Sequence, residues 1–371
     1  MAIRKTRRSR STNPYDEGYL QGAAQGTNDG RWQGLCEAIL QATSTPAQRR
    51  PYHILYVASG KGLPYSPIDE GIVAALAELA ERTTTMQPTD PVVPVALSER
   101  PDLVLVLDGT SFAADNVQLL RMHGIRTALW LTDDPYYMNF TSAYAPLFDY
   151  VFTPERNCVS VYQQLGAAQV FNLPLGVHPN SFRPQKTRLE SRGDICFIGS
   201  AYRNRLELLR AILPALTHRK LHLSGFWWEQ LELPASFSGT FEPGKWMEPP
   251  ETAMNYSAHR ISLNIHRPPD EEHNESDLIL PAVSPNPRTF EISACGTLQI
   301  VDARDDIGSY YVPGEEIVTY RSVEELLGKL DYYLTHEEER QQIAWRALLR
   351  TMRDHTYVAR VARLLDSVQL G

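Results

Sequence analysis

From His53 onward the chain alternates short, β-rich apolar runs with longer segments in which apolar positions recur every three or four residues. The runs His53 to Ser59, Asp102 to Asp108, Arg126 to Thr132, Tyr150 to Thr153 and Val170 to Leu175 read as strands. Between them, Ile68 to Arg82, Ser111 to His123 and Asn157 to Leu165 have helical periodicity. Strand and helix in alternation predict a parallel sheet with helices on its faces. The stretch Pro174 to Pro184 is rich in proline and asparagine and reads as a linker. A second series follows: Asp194 to Ile198, Leu221 to Gly225, Ile261 to Ile265, Leu298 to Asp302 and Glu316 to Tyr320.

Local signals sharpen this outline. Ser322 with Glu325 and Thr335 with Glu338 have capping-box spacing, so a helix is expected after each. Residues Arg353 to Leu370 read as a closing amphipathic helix. Upstream, Gly18, Gly22, Gly26, Gly30 and Gly34 fall on one face of a helical arm that could accept a very close neighbour. The opposing reading is a weak arm that orders only by packing, since each glycine costs a helix about 1 kcal/mol relative to alanine. The prediction is an α/β chain of two doubly wound domains, 51–180 and 181–352, facing across a cleft. Residues 1–50 precede them as a basic tail and arm, and 353–371 close the chain.

With 371 residues, 43% of them hydrophobic, there is enough chain for two cores. A net charge of −8 argues against general nucleic-acid binding. Arg4, Lys5, Arg7, Arg8 and Arg10 form a local basic tail, read as a disordered segment or as a membrane-surface or partner contact. No signal-peptide core follows it and no run of about 18 apolar residues is present, so the expected compartment is the cytoplasm. Cys36, Cys158, Cys196 and Cys295 are too scattered to signal zinc or a disulfide framework.

In open α/β sheets ligands sit beyond the carboxyl ends of the strands, which makes the loops there the informative positions. Gly199-Ser200-Ala201-Tyr202-Arg203-Asn204-Arg205 is a glycine turn entering a helix with two early arginines, a pattern suited either to a diphosphate or to a solvated helix start. Asn264-Ile265-His266-Arg267 precedes a polar loop of about twenty residues, Pro268 to Pro287, expected to border the cleft. The helix that follows carries Arg288, Thr289, Phe290 and Glu291 and is stopped by Gly296. Glu291 could accept bonds from a sugar or ribose diol, or simply complement the helix dipole. In the first half, Asp133 and Asp134 end a strand: one is expected to cap the next helix, while the other is a catalytic candidate. Gly60-Lys61-Gly62 and Asp108-Gly109-Thr110 also open toward the cleft, and the former lacks P-loop spacing.

Taken together, several segments resemble the spore-maturation (CgeB-like) family of GT-B glycosyltransferases and the wider group 1 glycosyltransferases. They are Pro101 to Val106, Trp130 to Tyr136, Tyr150 to Thr153, Leu173 to His178, Phe197 to Ser200, Ile261 to His266, Arg288 to Glu291 with Ala294 to Gly296, and Pro313 to Glu316. The resemblance spans roughly residues 52 to 365 and rests on the order and spacing of these segments.

What the resemblance implies is a GT-B fold with a UDP-, dTDP- or GDP-linked sugar held by the second domain. Gly199, Ser200, Arg203, Arg205, Asn264, His266, Arg288, Thr289, Phe290 and Glu291 are its candidate donor-site residues. Arg203 or Arg205 would meet the diphosphate, and no metal or other cofactor is expected. A glycan, protein or small-molecule acceptor would face Gly60, Lys61, Asp108 and Tyr136, with Asp133 or Asp134 as base in an inverting transfer. The closing helix would cross back to the first domain, and the arm is a candidate oligomer contact. Glu291 matches the final glutamate of the group's E-x7-E signature. The first falls at Val283, and the usual Gly-Val-Asp reads Gly176-Val177-His178. Val283 in place of glutamate leaves open whether the group's retaining outcome applies and keeps a second reading, a non-catalytic surface or spore-coat component of the same fold; a nucleotide-sugar epimerase, which would need no acceptor, is the other alternative.

Overall fold

The structure is a computed structural model and describes residues 14–43 and 47–368. The basic stretch from Arg4 to Arg10 lies outside the described residues. The arm is one helix, α1 (Pro14–Thr43). The first domain contains β1 (Arg50–Val57), α2 (Ser66–Leu79), β2 (Ala80–Met86), α3 (Val92–Glu99), β3 (Leu103–Leu107) and α4 (Ala114–Met122). It continues with β4 (Thr127–Trp130), α5 (Met138–Tyr144), β5 (Tyr150–Thr153), α6 (Arg156–Gln164) and β6 (Gln169–Asn172). These strands form a parallel six-stranded sheet in the order β2-β1-β3-β4-β5-β6.

The second domain begins with β7 (Gly193–Ile198), α7 (Arg203–Ile212), β8 (Lys220–Gly225), β9 (Ser238–Pro243) and α8 (Pro249–Ala258). It continues with β10 (His259–Asn264), α9 (Pro287–Ala294), β11 (Leu298–Asp302), β12 (Val318–Tyr320), α10 (Val323–Thr335) and α11 (Glu337–Asp354). Its parallel sheet has the order β12-β11-β10-β7-β8-β9. The last helix is α12 (Tyr357–Ser367).

Strand β3 shows why the apolar runs fold this way. All five of its residues are buried, and successive side chains enter opposite layers. Leu103, Leu105 and Leu107 join Trp130, Val361 and Leu364 on one face, while Val104 and Val106 join Val117, Leu120 and Phe148 on the other. In the second sheet Ile195, Phe197, Leu263 and Ile300 meet α7 and α10 on one side. Cys196 and Val301 meet α9 and α11 on the other.

Several details depart from the sequence-based expectations. The segment Ile68 to Arg82 is not one helix: α2 ends at Leu79 and the chain continues as β2, where the β-branched Thr83, Thr84 and Thr85 suit a strand. An edge strand of the second sheet, β9, is polar and largely exposed, so it shows no apolar run. Ser322 does cap α10, accepting Glu325 N–H at 3.1 Å. Thr335 caps nothing: α10 runs through it, and its hydroxyl donates back to the carbonyls of Asp331 and Tyr332.

The arm docks on the second domain, not the first. Trp32, Cys36, Ile39 and Leu40 pack against the cluster beneath α9 and α11, and Asp29 pairs with Arg192 at 2.9 Å. Among the described residues a Cβ on any of the five glycines of the arm would meet nothing within 4 Å. The chain does return to the first domain at its end. Val177 N–H donates to His355 O, and Tyr357 N–H to Val177 O, each at 3.0 Å. Helix α12 then lies on α2 so closely that a Cβ on Gly71 would sit 2.4 Å from the Tyr357 ring, which only glycine allows. All four cysteines are free and buried.

Candidate functional site

A cavity of about 430 Å³ opens between the two sheets at the carboxyl ends of their strands. The first domain contributes Tyr65, Asp133, Asp134, Tyr136 and Glu155 to its wall; the second contributes Gly199, Ser200, Arg205, His266, Arg267, Arg288 and Glu291.

On the second-domain side the wall starts where β7 ends. The glycine at 199 allows a close approach, because a Cβ there would lie 2.9 Å from the Arg288 guanidinium. Arg205 is buried and spans the turn, donating through Nε to Ile265 O at 2.9 Å and through Nη1 to Ser200 O at 2.8 Å. Burial and the neighbouring Arg288 lower its pKa to about 9, which leaves it a cation at neutral pH. Arg203 is turned outward and pairs with Asp270 at 2.7 Å. Of the two early arginines only Arg205 reaches the cavity. The reason is helical geometry: positions two apart do not share a face.

The same periodicity divides α9. Arg288 and Glu291, three residues apart, face the cavity. Thr289 and Phe290 face inward and are no part of the wall, which corrects their expected donor contact. Phe290 packs among Tyr310, Tyr311 and His355. Thr289 belongs to a buried amide network with Asn264, whose Nδ2 lies 2.9 Å from Thr289 Oγ1 and 3.1 Å from Gln299 Oε1. Asn264 is therefore a structural residue as well, fully buried behind the wall. The helix start is fixed by Asn286, whose Oδ1 accepts Thr289 N–H at 3.0 Å.

His266 lines the cavity with both ring nitrogens occupied. Nε2 accepts Asn286 N–H at 3.1 Å, so Nδ1 carries the proton and donates to Asp302 at 2.7 Å. Burial lowers its pKa. Burial would raise Asp302, but His266 and Arg304 hold it down to about 2. Glu291 stands in contrast: among the described residues no group donates to its carboxylate, and burial raises its pKa to about 7, only partly offset by Arg288.

On the first-domain side the adjacent aspartates diverge. Asp133 Oδ2 accepts from Tyr65 Oη and Thr132 Oγ1, each at 2.8 Å, while Oδ1 accepts no bond from any described residue. Asp134 is turned into the core, accepting Thr153 Oγ1 at 2.6 Å and Tyr162 Oη at 2.7 Å, and burial raises its pKa to about 6. It caps no helix, since α5 begins only at Met138 without a side-chain cap. Asp134 is thus a brace, and Asp133 is the carboxylate available to chemistry.

Of the expected acceptor-side group, only Tyr136 borders the cavity; its hydroxyl donates to Arg267 O at 3.0 Å. Gly60 and Lys61 line a separate hollow beside α2. Lys61 pairs with the buried Asp108 at 2.8 Å, which also accepts from Thr110; Thr132 Oγ1 lies 2.9 Å from Asp108, and its one proton goes either there or to Asp133. Among the described residues the one grouping of metal-ligand type, Glu271 with Glu272 and His273, lies outside the cavity wall. Sequence reasoning passed over Arg267, whose guanidinium lies 4.7 Å from the Tyr136 ring and 4.9 Å from that of Tyr202. It also passed over Glu155 and the loop residue Trp246. Arg267 and Glu155 both follow strand ends, so the strand-end rule pointed at them.

Residues 203–366 match the glycosyl transferase-like family. The chain is 28% identical over 294 residues to the spore protein CgeB of Bacillus subtilis, covering 78% of this chain and 90% of the relative. Among solved structures it is similar to Anabaena HepE in complex with UDP-glucose, with a TM-score of 0.54 and 11% identity over 85% of this chain and 100% of the other. The sucrose-phosphate synthase of Thermosynechococcus elongatus superposes with a TM-score of 0.56, at 11% identity over 85% and 98% of the two chains. The chain has the GT-B fold, and its residues 203–366 are glycosyl transferase-like. Its likeness to the CgeB-like group holds over most of its length. Among the described residues no helix is long and apolar enough to cross a membrane.

Proposed function

We propose that the chain moves a sugar from a UDP-, dTDP- or GDP-linked donor to a hydroxyl of a glycan, protein or small-molecule acceptor, without a metal ion. The observation that carries this reading is the single cavity in which Asp133 from one domain meets the Gly199-Ser200 turn, Arg205, Arg288 and Glu291 from the other. The two guanidinium groups supply the positive charge that a departing diphosphate needs. Glu291, whose carboxylate accepts no hydrogen bond from the described residues, suits a ribose or sugar diol as hydrogen-bond donor. In an inverting transfer the acceptor oxygen bonds to the anomeric carbon as the sugar–phosphate C–O bond breaks. The bonding pair leaves with the diphosphate, and Asp133 takes the acceptor's proton. The UDP-glucose bound by HepE, a protein of the same fold, makes UDP the first nucleotide to test.

The test is calorimetry with UDP, GDP, dTDP and their glucose conjugates, followed by diphosphate release with and without candidate acceptors. One nucleotide class is expected to bind, and release should require an acceptor. Conversion of the donor alone would instead indicate epimerisation. Binding without either reaction would indicate a non-catalytic protein.

A further inference from the structure

One carboxylate on the cavity wall is used neither by the proposed chemistry nor by its own domain's core. Glu155, only 3% exposed, sits at the start of α6 in the first domain. Its Oε1 accepts the N–H of Asn157 at 3.0 Å and so caps that helix. Its Oε2 reaches into the second domain and accepts two successive amides, Val283 N–H and Ser284 N–H, each at 3.0 Å. The contact is reinforced on both sides. Arg156 N–H donates to Ser284 Oγ at 3.0 Å, the Arg156 guanidinium pairs with Asp306 at 2.7 Å, and Asn157 Nδ2 donates to Pro281 O at 2.8 Å.

The segment held in this way leads directly into the donor-side wall. Two residues beyond Ser284, Asn286 bonds His266 and caps α9, which presents Arg288 and Glu291. A carboxylate that accepts three amide bonds with little exposure to water is a strong and directional link. Val283 stands where the group's signature has a glutamate, and its amide is engaged by a glutamate from the opposite domain.

We propose that Glu155 is a positioning residue: it clamps the 281–286 segment to the first domain and so holds Arg288 and Glu291 in register with Asp133. The donor site is then complete only when the two domains are closed on each other, and opening must break the Glu155 bonds. This rests on the donor-site reading given above.

The clamp can be tested in the whole protein with Glu155→Gln, and with Arg156→Gln as a milder variant that keeps the carboxylate. Hydrogen exchange of residues 283–291, small-angle scattering, and calorimetric titration with UDP, GDP and dTDP would be compared with the wild type. In Glu155→Gln, exchange at 283–291 should accelerate, the scattering should show a more open particle, and affinity for the nucleotide that binds should fall about tenfold, the scale of one charge-assisted hydrogen bond. Arg156→Gln should move all three in the same direction by less. A purely structural Glu155 would lower the melting temperature yet leave the affinity of the folded protein unchanged, and that result overturns the proposal. If the wild type binds none of the three nucleotides, the donor-site reading fails on its own. Exchange and scattering still decide the clamp, and unchanged values in Glu155→Gln sink it.

Discussion

On the first-domain wall of the cleft, Asp133 is held by hydroxyls from Tyr65 and Thr132 that engage one carboxylate oxygen, while no described residue bonds the other. On the second-domain wall, Glu291 lies beside Arg288 with no hydrogen bond to its carboxylate from any described residue, and burial raises its pKa to about 7. The difference is one of preparation. Asp133 is oriented by its own domain's hydroxyls, as its proposed role of base requires. Glu291 has no hydrogen-bond donor among the described residues, and on the donor-site reading a bound diol would supply one. Asp134 marks the limit of the comparison: it is also a buried carboxylate, but its hydroxyl donors come from the core.

The sharpest way to break the contrast is Asp133→Asn. Sugar transfer should fall by about 10²- to 10⁴-fold, the range for loss of a general base, while UDP-glucose affinity stays within a factor of two or so. Equal losses of affinity and rate would move Asp133 to the binding side. Arg288→Ala comes next. It should weaken UDP binding by roughly 1.5–3 kcal/mol, the scale of a charge-assisted hydrogen bond, as read by calorimetry.

Asp134→Ala should act on the fold alone. It strips the buried Thr153 and Tyr162 hydroxyls of an acceptor, at about 1–3 kcal/mol in urea unfolding, and should leave donor affinity unchanged. A smaller effect is expected from pH. The folded protein binds the Glu291 proton more tightly than the unfolded chain does. The stability associated with this group is therefore full below about pH 4.5 and is lost as pH rises to about 7. Glu291→Gln should flatten that slope, and UDP-glucose affinity should strengthen through pH 7 in the wild type alone. At the bottom of the scale, Arg203→Ala should change neither binding nor rate, because Arg203 is engaged with Asp270 outside the cavity wall.

Much of this protein could be read directly from its residue order. Short unbroken apolar runs such as Leu103 to Leu107 and 3.6-residue spacing in the helices between them are local properties, and they define two parallel sheets. The glycine turn at Gly199, the helix carrying Arg288 and Glu291, and the aspartates closing β4 were also legible, because ligands gather at strand ends. Edge strands β2 and β9 escaped this reading because a half-solvated strand needs no apolar run.

Tertiary structure alone decided which member of each candidate pair faces the cavity. Asp133 and Asp134 are adjacent, and nothing local says that Thr153 and Tyr162, distant in the chain, would draw the second one inward. Arg203 and Arg205 are parted by the rotation of α7 against a loop whose course only packing fixes. Docking of α1 on the second domain, and the reach of Glu155 across the cleft to amides 128 and 129 residues away, depend on long-range contacts. Period and turn chemistry act between near neighbours in sequence, whereas hydrogen-bond partners across a cleft are chosen by the final arrangement of both domains.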